Sequence, residues 1–147
     1  MTDFYNTRQG KGRIMRGKEK QNMKTALHFL LISFLIWVIP FVSSFPFFGR
    51  DGKLTVSFWV FKLVMAVVLT LSSFFLFQWL YSVNPQAAGG LSSLLLLGLG
   101  AALISMLFDA FTVIPFNKMP IPQYAAQVAS FYLLIVIISL VTGNRTQ

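Results

Sequence analysis

The sequence predicts an all-α integral membrane protein, a four-transmembrane-helix up-down bundle with a basic, disordered N-terminal tail. Three observations carry that prediction. Of 147 residues, 56% are hydrophobic and only 11% charged, whereas soluble domains carry about 25% charged residues. Four apolar runs, each long enough for a hydrocarbon core about 30 Å thick, fill most of the chain and leave no room for a sizeable water-facing domain. The net charge of +8 is gathered largely at one end.

That end comes first. Residues 1–25 form a basic tail in which Arg8, Lys11, Arg13, Arg16, Lys18, Lys20 and Lys24 stand against Asp3 and Glu19. Gly10, Gly12 and Gly17 interrupt it and no apolar stripe marks a helix face, so it reads as a mobile segment. Near anionic lipid each Lys or Arg adds about 1 kcal/mol of attraction, which makes these seven the candidate lipid contacts. Their plainer role is to set topology. No aromatic residue interleaves with the basic ones after Tyr5, so nucleic acid is not an expected partner.

Residues 26–142 form the transmembrane domain. The first span covers about residues 26–45, with Pro40 expected to bend its far third by removing a backbone donor. A cleaved signal peptide is the rival reading, with Val42 and Ser44 as small residues before a cut. The apolar run exceeds the usual h-region of about 7–15 residues. A tight reversal at Gly49-Arg50-Asp51-Gly52 follows. The second span covers about residues 54–81. Its roughly sixteen Leu, Val and Phe residues, each favourable by about 0.3–0.6 kcal/mol near the centre, outweigh one lysine. Asn84-Pro85 and Gly89-Gly90 stop the helix, and a third span covers about residues 91–115. Pro115, Pro120 and Pro122 keep the last loop extended. The fourth span covers about residues 123–141, and a short polar tail, 143–147, closes the chain.

Four spans put both termini on one side. The seven basic residues of the tail and Arg145 lie there, against Arg50, Lys53 and Lys118 in the opposite loops. The positive-inside rule places both termini in the cytoplasm, in a plasma membrane of bacterial type.

Lys62 and Asp109 are the two charges that fall well inside a span. A charge at the bilayer centre costs roughly 2.5–3.5 kcal/mol on insertion scales, so such residues need a partner or water. Lys62 is expected about 12 Å into the second span and Asp109 about 10 Å from the same surface. If these spans are antiparallel neighbours, the charges lie level and can pair. Helical spacing adds Thr112 from the third span and Gln127 from the fourth, giving an expected polar cluster of Lys62, Asp109, Thr112 and Gln127. Gly98, Ala102 and Ser105 form a small face on the third span, where helices can approach closely. The cluster reads either as a register-fixing ion pair or as a proton or ion relay. Lys62 can also snorkel to the surface on its long stem.

Little else bears chemistry. The chain has no cysteine and one histidine, so thiol chemistry is excluded and a metal site lacks its other ligands. His28 reads as an interfacial packing residue. No base accompanies the serines, and Gly89-Gly90 lacks the Gly-Lys-Ser/Thr of a phosphate loop. Neither a cofactor nor a metal is expected. In size and span count the chain is similar to the small multidrug exporters, which are dimers of four-helix chains. Those carry an essential acid in the first span; this first span has none, so no residue role carries over. The expected function is non-enzymatic. It is that of a subunit or accessory protein of a membrane assembly, self-associating or joined to other membrane subunits, with the lipid bilayer as its other partner. The alternative is a small ion- or proton-coupled transporter centred on Lys62 and Asp109.

Overall fold

The computed structural model describes residues 3–50, 53–112, 114, 120–122, 124 and 128–145, with side chains from Glu19 onward. Four helices dominate: α1 (Asp3–Ser44), α2 (Phe58–Val83), α3 (Leu91–Phe111) and α4 (Tyr132–Asn144). The protein is all-α, with three helices long and apolar enough to cross a membrane and a shorter apolar fourth.

α1 differs from expectation at its start. The basic segment read as disordered is helical from Asp3, continuous with the apolar run that follows. Arg, Lys, Gln, Glu and Met are good helix formers, and extending an existing helix avoids the cost of a new nucleus. These terms outweigh the three glycines. Pro40 lies inside α1, and the helix ends four residues later at Ser44, whose hydroxyl donates to the Phe41 carbonyl at 2.6 Å.

The expected reversal follows. A 3-10 turn, Phe45–Phe47, leads to an antiparallel bridge between Phe48 and Leu54. Gly49 N–H donates to the Lys53 carbonyl, and Thr55 N–H to the Phe47 carbonyl, each at 2.8 Å. Asp51 and Gly52 lie outside the described residues. Because Leu54 and Thr55 serve this bridge, α2 starts at Phe58 rather than at residue 54. Ser57 caps it, accepting from Val60 N–H at 3.4 Å, as serine does at helix starts. At its far end Pro85 opens a second 3-10 turn, Pro85–Ala88. Gly90, with φ +142°, then swings the chain into α3, a backbone state that glycine adopts without strain.

α3 ends at Phe111, four residues before the expected end. α4 begins at Tyr132, after a 3-10 turn at Ala129–Phe131, so its 13 residues span only about 20 Å. Gln123 and residues 125–127, where the fourth span was expected to begin, lie outside the described residues.

The packing pairs differ from a simple walk around the bundle. α3 packs chiefly on α4 and α1, and α2 chiefly on α1 and α4. Thus α2 and α3, although joined by a short link, occupy opposite corners. The interior holds Ile32 and Ile36 from α1, Leu69 and Phe77 from α2, Ala101 from α3 and Ile135 from α4. The outward surface is as apolar as this core: Trp59, Leu96 and Phe111 are each more than 70% exposed. Close approach of α3 to α4 depends on Gly98. A β-carbon there would sit 2.9 Å from the Val136 α-carbon.

Candidate functional site

Asp109 is 2% exposed near the end of α3. Three ring donors from three other segments converge on it. Trp37 of α1 donates its indole N–H to Oδ1 at 2.9 Å. Tyr124 donates its hydroxyl to Oδ2 at 2.9 Å, and the Tyr132 hydroxyl, from the start of α4, donates to the same oxygen. Every partner is a donor, which matches an ionised carboxylate, an acceptor-only group. Such charge-assisted bonds are about twice as strong as neutral ones. The centre therefore ties α1, α3 and the segment leading into α4 together through one side chain.

Aromatic rings close around it. The Trp37 ring stacks on Phe41 with centroids 4.9 Å apart and lies 5.1 Å from Phe108. Phe34 meets Phe108 edge-on at 5.6 Å. These contacts fix the indole plane and hence the direction of its N–H.

Lys62 sits elsewhere. It lies four residues into α2, about 6 Å from the helix start rather than the expected 12 Å. Its ammonium stands over the rings of Phe58, Trp59 and Phe131, at 5.1, 5.9 and 5.3 Å from their centroids. Cation–π attraction of this kind stabilises a lysine that has left bulk water. Among the described residues no ion pair joins Lys62 to Asp109, and their helices occupy opposite corners. Thr112 also stands apart: its hydroxyl donates back to the Phe108 carbonyl at 2.6 Å as α3 ends. Gln127 lies outside the described residues. Of the small face, Gly98, Ala102 and Ser105 are all buried on α3. The side chains of Arg8, Lys11, Arg13, Arg16 and Lys18 lie outside the described part, and Lys20 and Lys24 are exposed.

A second polar joint lies at the opposite end of the bundle. Asn84 ends α2 and is 6% exposed. Its Oδ1 accepts from the Thr25 hydroxyl at 3.1 Å. Its Nδ2 donates to the Leu80 carbonyl at 3.4 Å and to His28 Nδ1 at 3.0 Å. His28 also packs edge-on against Trp79 at 5.3 Å. The lone histidine is thus a hydrogen-bonded link between α1 and α2, more than the packing residue its sequence context implied. Between these two centres, Tyr81 and Ser139 share a hydroxyl–hydroxyl bond of 2.7 Å. Ser139 passes its own proton to the Leu94 carbonyl at 2.8 Å, which joins α2, α4 and α3.

Sequence reasoning found Asp109 but missed Trp37, Tyr124 and Tyr132. One signal was present. Trp37 and Tyr132 fall near the middle of the runs at 26–45 and 123–141, away from the interfacial positions that such residues favour. A ring with a polar handle at mid-run needs a partner for that handle, and Asp109 is the acceptor available. Among the described residues no group of three or more His, Cys, Asp or Glu side chains is placed to hold a metal.

No protein family, curated protein or solved structure matches this chain.

Proposed function

We propose that the protein is a multi-pass membrane protein with a non-enzymatic role, an accessory subunit that associates with its own copies or with a larger membrane assembly. In this reading four helices cross the bilayer up and down, and both termini are cytoplasmic. Three long apolar helices, an outward surface of large apolar side chains and the basic first segment support it.

The observation that carries the reading is the Asp109 centre. The buried acid is engaged by Trp37, Tyr124 and Tyr132 of its own chain, so it holds helices together rather than facing a substrate. What the protein then offers to others is its outer faces. On α2, Trp59, Leu63, Val67, Leu71 and Phe75 form one exposed ridge at four-residue spacing, the geometry by which helices interdigitate.

The test is mass in a mild detergent. The purified protein should run as more than one 16.5 kDa chain. Single cysteines placed along the ridge, at Leu63 or Leu71, report the contact in the native membrane, because the chain has no other cysteine. A lone monomer without cross-links or a co-purifying subunit would overturn the proposal.

The second reading, a small ion- or proton-coupled transporter, is favoured by one fact: a buried acid lies within an apolar helix. It needs Asp109 without a Lys62 ion pair. Reconstituted vesicles decide it, since Asp109→Asn should abolish coupled flux while the protein stays folded.

A further inference from the structure

Three interior hydroxyls, of Ser73 on α2, Ser105 on α3 and Thr142 on α4, are buried without a hydrogen-bond partner among the described residues. Other helical hydroxyls behave differently. Ser33, Ser72, Ser82 and Thr112 each return their proton to a carbonyl three or four residues back on their own helix. That acceptor is within reach of any helical serine. A fully buried hydroxyl that leaves it unused points to an acceptor of another kind.

Two of the three lie in the Asp109 layer. Ser105 precedes Asp109 by four residues, on the same helix face and about 6 Å along the axis. Ser73 reaches the layer through α1. Helices α1 and α2 meet at Phe47 and Thr55 at one end and at Thr25 and Asn84 at the other, so they run oppositely. Counting from the His28–Asn84 contact, Ser73 falls level with about Ile39, within a turn of Trp37. The carboxylate itself has capacity left. Oδ2 accepts two hydroxyls, whereas Oδ1 accepts only the Trp37 indole, and each oxygen offers about two acceptor sites.

We propose that the Asp109 centre binds internal water, which bridges Asp109 Oδ1 to the Ser105 hydroxyl and, in the same layer, to Ser73. Ser105 donates to the water, and the water donates to Oδ1. A buried water typically makes about three hydrogen bonds, and Ser73 supplies the third. The site is distinct from any role of the outer faces. It gives a carboxylate enclosed by aromatic rings a set of exchangeable protons inside an otherwise apolar bundle.

The experiment is magnetisation transfer from water to indole N–H groups in the full chain, labelled with nitrogen-15 tryptophan and held in lipid bilayers. Trp59, which is exposed, serves as a control and Trp37 as the probe. The expected result is transfer to the Trp37 indole that falls several-fold in Ser105→Ala and persists in Ser105→Thr, which keeps the hydroxyl. Ser105→Ala should also lower the unfolding temperature, because a bridging water loses a partner. Absence of transfer to Trp37 in the unaltered protein overturns the proposal. So does transfer that is untouched in both Ser105→Ala and Ser73→Ala, or a Ser105→Ala protein that is more stable than its parent, the mark of a hydroxyl in a dry core.

Discussion

Trp37 and Asp109 lie 72 positions apart, yet the indole N–H of one meets the carboxylate of the other at 2.9 Å. This bond fixes the register of α1 against α3. It predicts that Trp37→Phe, which keeps the stacked ring and removes only the donor, destabilises the bundle. Interhelical hydrogen bonds in bilayers average about 0.6 kcal/mol and reach about 1.7; a bond to a carboxylate belongs at the upper end. Trp37→Ala should cost more, since it also strips the contacts with Phe41 and Phe108. Unfolding in mixed micelles, followed by circular dichroism, measures both.

Lys62 and Asp109 supply the sharpest contrast with a reading by charge alone. With no ion pair between them, changes at the two sites should be independent. A double-mutant cycle with Lys62→Met and Asp109→Asn is expected to add within about 0.3–0.5 kcal/mol, the usual result for residues without shared partners. The cycle of Tyr132→Phe with Asp109→Asn should instead show coupling beyond that range, because the hydroxyl loses its acceptor in either variant. A large Lys62–Asp109 coupling would restore the ion pair and sink this description.

The fold was legible where local composition decides it. α2 and α3 lie close to their expected bounds because each is one apolar run between helix-stopping residues, Ser57 before α2, Asn84-Pro85 after it and Gly90 before α3. The first segment misled, since disorder was inferred from charge and glycine while the propensity of Lys, Arg, Gln and Met was left out. Asp109 stood out because a charge among apolar residues is conspicuous. Its partners did not, because Trp and Tyr count as apolar on a hydropathy scale although each carries one donor. Which helices become neighbours was not legible either. Lys62 and Asp109 were paired on the premise that consecutive helices touch, and contacts between α3 and α4 and between α2 and α4 displaced that order.

The Thr25–His28–Asn84 joint makes its own prediction. Asn84 uses its amide oxygen and both amide protons on partners from two helices. Asn84→Ala should therefore leave His28 and Thr25 short of partners and cost about 1–3 kcal/mol, the range for a buried polar group left unsatisfied. Asn84→Leu should be no milder despite its added apolar surface. In the cycle of His28→Ala with Asn84→Ala, the second change should cost less than it does alone, with a coupling of about 0.5 kcal/mol or more. Thermal unfolding of the four proteins gives that coupling directly.

Gly98 tests the α3–α4 interface, and there two effects oppose each other. Gly98→Ala removes a poor helix former from the interior of α3, a gain of about 1 kcal/mol by propensity. The new methyl would stand 2.9 Å from the Val136 α-carbon and 3.0 Å from the Ser139 β-carbon. The first of these is backbone, which cannot turn aside as a flexible side chain can. Overpacking of this kind costs about 1–3 kcal/mol, so the net change should be a loss, and Gly98→Val should lose more. Ser139 also holds the bond to Leu94 and the contact with Tyr81, so spreading α3 from α4 weakens both. Leu96→Ala, two positions away on the outward face of α3, adds no atom to that interface and should change stability little. Comparing the unfolding temperatures of these three variants settles which term wins. A Gly98→Ala protein more stable than its parent would show that α3 and α4 do not approach as closely as described.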